Sequence, residues 1–229
     1  MAGALIFGGT TEGRLAALRE RDAVVCVTSD YGASLLPPGT DCRVGRLERP
    51  AMLALMRELR PLRVIDATHP YAVRVSANIR DCCRELGIPL ERAARPALDG
   101  PWREHVRRAG SPEAAARLLA GARGNILLTT GSHTLKTYTA AADPARIWAR
   151  VLPTREALAL CDEAGLPASH IIAMQGPFSE AFNAALYDQL NIQTMVTKDS
   201  GAAGGLEEKV LPALAREIDV ILIERPKEE

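Results

Sequence analysis

The fold of this chain is decided by the stretch Leu5-Ile6-Phe7-Gly8-Gly9-Thr10-Thr11-Glu12-Gly13-Arg14. A short apolar run ends in two adjacent glycines, and a segment rich in Arg and Ala follows the third glycine. This order predicts a strand, a tight turn and the first turn of a helix, where backbone N–H groups can cradle a phosphate. The spacing differs from G-x-G-x-x-G, so a βα turn that needs glycine only for its backbone angles is the alternative.

Length and composition are ordinary for a globular protein. The 229 residues suffice for one large domain or two small ones, and the 28 basic and 28 acidic side chains cancel. No global basic field therefore attracts nucleic acid. The sequence has neither the basic and apolar regions of a signal peptide nor the run of roughly 18–20 apolar residues that spans a membrane.

The cysteines and histidines do not form a reactive or metal-binding pattern. The five cysteines lack metal-ligand spacing, and we interpret them as reduced, mostly buried thiols of a cytoplasmic protein. The four histidines include no H-x-x-x-H pair, so no metal site is predicted. No G-x-S-x-G elbow supports a hydrolase triad.

Apolar runs of strand length alternate with helical segments along the whole chain, which predicts parallel sheets covered by helices. Residues 93–101 are rich in Pro, Ala and Gly, and they lie near the middle of the chain. We therefore predict two Rossmann-like three-layer α/β domains, residues 1–97 and 98–229, rather than one sheet of about ten strands. Residues 29–32 and 129–136 are expected to form loops, and His105-Val106 a weak strand.

Small and polar residues gather just after the predicted strands, in residues 8–13, 29–32, 66–72, 129–136, 175–179 and 198–205. Ligands bind at the carboxyl ends of strands in open α/β sheets, because loops and helix N-termini converge there. Six such loops in two domains predict an active-site cleft between the domains, with a cofactor on one edge and a substrate on the other. Alternatively, these loops carry such residues only for turns and caps.

Three side chains of the first half are candidates for ligand contacts. Glu12 either caps the first helix or interacts with a ribose or a nicotinamide amide. Asp30 follows the second strand, where a Rossmann protein places an acid that accepts from the adenosine ribose; a turn Asp is the alternative. His69 precedes Pro70 at a strand end, and its pKa range suits proton transfer or charge stabilisation near neutrality.

Basic residues of the second half also follow predicted strands. Lys136, Lys198, Arg150 and Arg225 lie in or beside strand-end loops. Together with the backbone N–H groups of Gly131, Gly176 and Gly201, they would suit a substrate with several carboxylates. Each of them is otherwise a solvated surface charge.

Several motifs taken together resemble the precorrin-6A reductases. In the first half they are LIFGGTTEGR (residues 5–14), DATHPYA (66–72) and SAN (76–78). In the second half they are TGSH (130–133), QGPFS (175–179), TKDSG with GG (197–201 and 204–205) and ERP (224–226). The resemblance runs from residue 3 to residue 226, and the ordered set is far more specific than the glycine loop alone.

The resemblance implies an enzyme of cobalamin biosynthesis that reduces one double bond of precorrin-6A, or of its cobalt form, to precorrin-6B with NADH or NADPH. It also implies two α/β domains with the nicotinamide and the tetrapyrrole in the cleft between them. The predicted cofactor site is Gly8, Gly9, Thr10, Thr11, Glu12, Gly13, Ser29, Asp30, Tyr31, Gly32, Thr68, His69 and Pro70. The predicted substrate site is Thr130, Gly131, Ser132, His133, Lys136, Gly176, Pro177, Phe178, Ser179, Lys198, Ser200 and Gly201.

The sequence departs from the family pattern after the second strand. Many NADPH-using members carry an Arg shortly after the Ser there, whereas Ser29-Asp30-Tyr31-Gly32-Ala33 lacks it. This variant is more similar to the anaerobic, cobalt-precorrin branch. An acid at Asp30 would repel a 2′-phosphate, which favours NADH over NADPH.

The implied reaction transfers a hydride from nicotinamide C4 to the macrocycle and adds a proton to the adjacent carbon. His69 is the predicted catalytic residue, through cofactor placement or proton supply, with solvent as the other proton source. Two alternatives are a nicotinamide-sensing regulatory module and another two-domain α/β enzyme such as a nucleotide-sugar transferase.

Overall fold

The computed structural model describes residues 2–20, 22–93 and 98–226. The chain divides into two compact units, Met1–Arg95 with Pro226–Glu229, and Pro96–Arg225. Each unit contains one parallel sheet flanked by helices, so the predicted α/β class with two parallel-sheet domains is confirmed. The predicted boundary between residues 97 and 98 falls at residues 94–97, outside the described residues.

The first unit has a five-stranded sheet in the order β3-β2-β1-β4-β5, with every neighbouring pair parallel. Its strands are β1 (Ala4–Phe7), β2 (Ala23–Val27), β3 (Asp41–Val44), β4 (Arg63–Asp66) and β5 (Leu90–Arg92). Its helices are α1 (Thr11–Arg19), α2 (Asp30–Ser34), α3 (Arg49–Leu59) and α4 (Val73–Leu86).

Strands β1 and β2 are buried along their whole length, because successive side chains enter opposite layers. Leu5, Phe7 and Val24 pack with the buried side chains of α3 and α4. Ala4 and Ile6 pack on the other face with alanines of α1 and α2. Two apolar layers therefore fix the sheet register, since a one-residue slip would exchange the faces.

The direction of the first sheet reverses beside β1. The chain proceeds from β1 to β2 and β3 on one side, and from β4 to β5 on the other. Such a switch point opens a crevice at the carboxyl ends of the two central strands, where α/β proteins bind ligands. The glycine loop after β1 and residues 67–72 after β4 lie at this place.

The second unit has a six-stranded sheet in the order β6-β11-β10-β7-β8-β9, again with parallel pairs. Its strands are β6 (Arg107–Ala109), β7 (Asn125–Leu128), β8 (Ile147–Val151), β9 (Ile171–Ala173), β10 (Ile192–Lys198) and β11 (Asp219–Ile223). Its α-helices are α5 (Pro112–Leu119), α6 (Leu135–Thr139), α7 (Arg155–Glu163), α8 (Glu180–Gln189) and α9 (Glu207–Leu214).

One core of this unit lies between the sheet and helices α8 and α9. Leu127, Met195 and Leu222 of the sheet pack there against Tyr187 of α8 and Val210 of α9. The chain reverses direction between β7 and β10, so the second switch point lies where residues 129–134 and 199–205 leave their strands.

Three local expectations were wrong. Residues 30–34 form α2 rather than a loop, because Ser29 Oγ accepts the N–H of Gly32 and caps a helical turn. His105 ends a 3₁₀ turn that begins at Pro101, and the strand starts at Arg107, where pairing with β11 begins. Residues 135–139 form α6, which buries Leu135 and Tyr138 one turn apart.

Candidate functional site

The turn after β1 requires glycine at two positions for different reasons. Gly9 has a φ of +99°, and a Cβ added there would meet no atom within 4 Å, so the turn is open on its outer side. A Cβ on Gly13 would lie 2.9 Å from Gly8 Cα, because the helix start packs against the end of β1. The adjacent glycines therefore build a close turn with an exposed backbone.

Helix α1 begins at this turn and supplies the donors of an anion site. Thr10 is the N-cap: its Oγ1 accepts the N–H of Gly13 at 3.1 Å. The first-turn N–H groups of Thr11 and Glu12 have no intrahelical acceptor. With the positive end of the helix dipole behind them, these groups favour a phosphate or another anion.

Thr10 also ties the glycine turn to the loop after β4. Its hydroxyl donates to the carbonyl of Ala67 at 2.7 Å, in addition to accepting the Gly13 N–H. Thr10 is buried, so its side chain serves the structure of the turn. Any contact of Thr10 with a ligand therefore falls to its backbone.

A polar network holds the loop after β4. Asp66 is buried, and its Oδ1 accepts the backbone N–H of Thr68 at 3.0 Å and the Thr68 hydroxyl at 2.7 Å. Arg92 Nη1 lies 2.9 Å from the same oxygen and also donates to the carbonyls of Asp66 and Thr68. Ser76 Oγ of α4 lies 3.0 Å from Thr68 Oγ1. Thr68 is thus positioned from three directions.

His69 follows this network and is partly buried. Its Nδ1 accepts the backbone N–H of Tyr71 at 3.3 Å, and the two rings lie 5.5 Å apart between centroids. A ring that accepts through Nδ1 carries its proton on Nε2. In this arrangement the neutral imidazole is a hydrogen-bond donor at Nε2.

The loop after β2 contributes the next predicted contacts at the same edge, since β2 neighbours β1. Ser29 caps α2, so its hydroxyl is engaged with the N–H of Gly32 at 3.2 Å. Asp30 is exposed in the first turn of α2. Its carboxylate therefore projects a negative charge from this edge, one strand away from the glycine turn.

In the second unit, the loops after β9 and β10 pack together. Gly205 has a φ of +62°, and a Cβ there would lie 3.4 Å from Pro177 Cβ. Asn183 of α8 donates to the carbonyls of Phe178, Ser179 and Glu208 at 3.4, 3.0 and 2.8 Å. These bonds hold residues 175–179 of the predicted substrate site against the start of α9.

Basic side chains collect beside these loops. Lys209 of α9 is buried and donates to Ser200 Oγ at 3.1 Å. Burial lowers the pKa of Lys198 from its ordinary value. Asp199 is also buried, with Arg103 at 2.6 Å and Arg225 at 3.4 Å. One buried carboxylate thus faces two guanidinium groups at this edge of the sheet.

Arg150 of β8 is buried under the loop after β9. Its Nη1 donates to Asn183 Oδ1 at 2.7 Å, and its guanidinium carbon lies 4.5 Å from the centre of the Phe178 ring. Burial lowers its pKa. Among residues 2–20, 22–93 and 98–226, no carboxylate forms an ion pair with Arg150.

Two predicted substrate residues stand apart from these clusters. Lys136 lies on α6, is exposed and pairs with Glu163 of α7 at 2.8 Å. His133 is exposed after β7. Sequence analysis missed Asn183, Lys209 and Arg92, which lie inside a helix or at a strand end. Only the polar character of Asn183 and Lys209 among apolar neighbours could have pointed to them.

A cavity of about 540 Å³ opens at the amino-terminal edge of the first sheet, lined by Asp22, Thr40 and Asp41 among others. It lies at the opposite end of the strands from the glycine turn, so it is not part of the predicted cofactor site. None of the described helices is long and apolar enough to cross a membrane. No cluster of three or more His, Cys, Asp or Glu suited to a metal ion occurs in the described part of the chain.

Comparison with known proteins gives one consistent result. The family model described as Precorrin-6x reductase CbiJ/CobK matches residues 4–229. A cobalt-precorrin-6A reductase of Salmonella typhimurium is 38% identical over 97% of this chain and 87% of that relative. A cobalt-precorrin-6A reductase of Priestia megaterium is 34% identical over 98% of this chain and 91% of that relative.

Related proteins also include one named for the substrate without cobalt. A precorrin-6A reductase of Rhodococcus erythropolis is 34% identical over 97% of this chain and 88% of its own length. A solved structure described as CobK precorrin-6A reductase superposes with a TM-score of 0.80 at 27% identity, covering 100% of this chain and 90% of that one.

Proposed function

Because the chain belongs to the precorrin-6x reductase CbiJ/CobK family, we propose that its glycine turn binds the pyrophosphate of NADH for the reduction of a precorrin-6A macrocycle. The protein is an oxidoreductase of cobalamin biosynthesis that uses a nicotinamide cofactor. The observation that carries the proposal is the open turn at Gly9, placed at the switch point of the first sheet.

The residues of the turn fit a dinucleotide phosphate. The open side of Gly9 lets the pyrophosphate approach the backbone, and the N–H groups of Thr11 and Glu12 point out of the helix start. Gly13 allows the helix to approach β1 closely, as the third glycine of a dinucleotide fold does. The turn therefore binds and orients the cofactor without a basic side chain of its own.

Asp30 supports NADH as the preferred cofactor. Its exposed carboxylate at the end of β2 lies where a ribose of the adenosine half reaches in this type of fold. A carboxylate accepts from the 2′- and 3′-hydroxyls but repels a 2′-phosphate. The residue therefore selects against NADPH.

The second unit is proposed to bind the tetrapyrrole, with or without cobalt. Residues 175–179 and 199–205 pack against each other at the carboxyl edge of its sheet, beside the basic side chains of Arg103, Arg225 and Lys209, which suit peripheral carboxylates. A dinucleotide bound at the glycine turn would supply the hydride for the macrocycle, and solvent would supply the proton. That both ligands share one cleft between the units stays a prediction.

We place the protein in the cytoplasm. All five cysteines are free, and burial raises the pKa of Cys83 to about 11, which keeps that thiol protonated. Free thiols of this kind persist in a reducing compartment.

The decisive assay follows NADH or NADPH absorbance with precorrin-6A and with its cobalt form. We expect turnover with at least one macrocycle and a higher kcat/KM for NADH than for NADPH. Asp30→Ser should move the NADPH/NADH ratio of kcat/KM by about tenfold toward NADPH, since removing one repulsive contact changes affinity by about 1.4 kcal/mol. Asp22→Asn, at the opposite edge of the sheet, is the matched control and should leave the ratio unchanged.

Other outcomes separate the alternatives. Dinucleotide binding without consumption in the presence of either macrocycle would indicate a nicotinamide-sensing module. Binding of a nucleotide-sugar instead of either dinucleotide would indicate a transferase. An unchanged cofactor ratio in Asp30→Ser would remove Asp30 from cofactor selection while leaving the reductase activity in place.

A further inference from the structure

The described residues of the second unit include a buried cation, Arg150, that forms no ion pair with any of them. The Arg150 side chain is 8% exposed, and no carboxylate pairs with it among the described residues of the chain. An isolated buried charge is costly unless it is paired, and such residues survive mainly where a function needs them. An anion that the described residues do not supply would therefore stabilise Arg150.

Most of the N–H donors of Arg150 bind no acceptor among the residues that the structure describes. Asn183 Oδ1 accepts from Nη1 alone, and Phe178 covers one face of the guanidinium without accepting an N–H in its plane. Among the described residues, fully enclosed side-chain atoms that lack a hydrogen-bond partner include Tyr138 Oη and Trp148 Nε1. No nitrogen of Arg150 is among them, so its remaining donors keep a path to solvent.

Asn183 and Phe178 fix the orientation of the Arg150 guanidinium group. Asn183 is itself held by three backbone carbonyls, of Phe178, Ser179 and Glu208, so the oxygen that it offers to Arg150 is rigid. The Phe178 ring belongs to the loop after β9, which packs against the loop after β10 through Pro177 and Gly205. A guanidinium held in one plane can bind a carboxylate through two parallel bonds.

We propose that Arg150 is a specificity residue that anchors one peripheral carboxylate of the tetrapyrrole at the carboxyl end of β8. This inference rests on the proposed function of the second unit. The carboxylate would neutralise the buried charge and accept hydrogen bonds from the N–H groups of Arg150 that are not used otherwise. Binding should therefore be strongest for a macrocycle whose periphery places a carboxylate against Arg150. Phe178 would lie beside the same group and exclude water from the pair.

The test compares Arg150→Met with Arg107→Met. Methionine keeps much of the volume of Arg150 and removes the charge, and Arg107 is an exposed arginine that pairs with Asp219 on the same sheet. We expect Arg150→Met to raise the KM for the macrocycle by about 10- to 100-fold, as the loss of a charge-assisted pair does, with the KM for NADH within about twofold of wild type. Arg107→Met should change neither constant.

Stability separates binding from a structural role. Arg150→Met should unfold at the same urea concentration as wild type or a higher one, because an unpaired buried cation is removed. Equilibrium binding of the macrocycle without cofactor, followed by its visible absorbance, should weaken by the same factor as KM. Arg150→Lys keeps the charge but lacks the planar guanidinium group. Its affinity for the macrocycle should therefore lie between those of wild type and Arg150→Met.

Several results would overturn the proposal. If Arg150→Met has the same KM for the macrocycle as wild type, Arg150 does not bind a carboxylate of the substrate. A lower urea midpoint in both Arg150 variants, with both KM values raised, assigns Arg150 to bracing Phe178 and Asn183 instead. If wild-type protein consumes no NADH or NADPH with either macrocycle, the proposed function fails, whereas failure of the anchor alone leaves wild-type turnover intact.

Discussion

His69 shows how one hydrogen bond limits the chemistry of a residue. Its Nδ1 accepts the N–H of Tyr71, a bond that suits the neutral imidazole with its proton on Nε2. Protonation of Nδ1 would place two N–H groups against each other. A neutral imidazole is a poor proton donor, so among the two roles predicted for His69 the geometry favours cofactor placement, with solvent as the proton source.

This argument predicts different behaviour for two variants of His69. Glutamine can present an amide N–H where Nε2–H lies, so His69→Gln should keep the KM for NADH within about threefold of wild type, whereas His69→Ala should raise it about tenfold through the loss of a hydrogen bond. Steady-state kinetics from pH 6 to pH 8 measure this, and the His69→Gln profile should follow wild type.

The opposite result is equally clear. If His69 supplies the proton, the wild-type rate falls as pH rises through the imidazole pKa range, and both variants lose kcat rather than cofactor affinity.

Position 13 requires glycine because the backbone of Gly8 lies too close for a side chain. A Cβ there would meet the backbone of Gly8 at 2.9 Å, and backbone cannot move aside as the end of a flexible side chain can. Gly9 is needed for its positive φ instead. Two glycines of one motif thus serve separate physical purposes, which explains why the irregular spacing still forms a close, open turn before α1.

At the level of elements, Thr10 joins the start of α1 to the loop after β4. One hydroxyl accepts from Gly13 and donates to Ala67, 57 residues away in sequence. The two loops at the switch point of the first sheet are therefore held at a fixed separation. A cofactor lying across them meets a preorganised surface.

We expect Thr10→Val to lower stability by about 2 kcal/mol, because it leaves the buried Ala67 carbonyl and the Gly13 N–H without a partner. The KM for NADH should rise in the same variant. Thr10→Ser keeps the hydroxyl, so its stability and its KM for NADH should stay close to those of wild type. Urea unfolding and cofactor kinetics provide the measurements.

Ser111→Ala is the matched control for Thr10→Val. Ser111 caps α5 by accepting from Ala114 N at 3.1 Å, and within the described part of the chain its hydroxyl forms no hydrogen bond to a distant loop. Ser111→Ala should lower the free energy of unfolding by about 1 kcal/mol, the usual contribution of a helix cap, and should leave the affinity for the cofactor unchanged. Equal losses in both variants would show that the Thr10–Ala67 bond adds nothing beyond capping.

For the whole molecule, the buried thiols make stability depend on alkaline pH. Burial raises the pKa of Cys26 on β2 from 9.0 to about 12, with smaller effects from Cys42, Arg43 and Asp41. The folded state holds this proton more tightly than the unfolded chain. The contribution of Cys26 is therefore fully present below pH 9.0 and is lost as pH rises toward 12.

Cys26→Ala should remove this part of the pH dependence. We expect the stability of wild type relative to Cys26→Ala to fall by about 1.4 kcal/mol per pH unit above the thiol pKa of the unfolded chain, measured by urea unfolding from pH 8 to pH 10.5. Val25→Ala, the buried neighbour on β2, should lose a constant amount at every pH. Parallel curves for wild type and Cys26→Ala would contradict the predicted titration.

The order of elements, the α/β class and the family could be predicted from the sequence because they depend on local patterns. The run Ala4–Phe7, the cap at Thr10 and the glycines that follow β1 all act within a few residues. The short helix α2 was missed because a five-residue segment carries too little periodicity, and its cap at Ser29 is also a turn residue.

Only the tertiary structure decided which distant side chains meet. Strand order places the loop after β1 beside the loop after β4, and it buries Arg150 against Asn183, 33 residues further along the chain. No local pattern encodes these pairs, because sheet order arises from burying two apolar layers at once and long-range contacts follow from it. The sequence by itself therefore determined most of the elements, the family and the glycine turn, while the polar network of Thr10 and the burial of the Arg150 charge exist only in the folded chain.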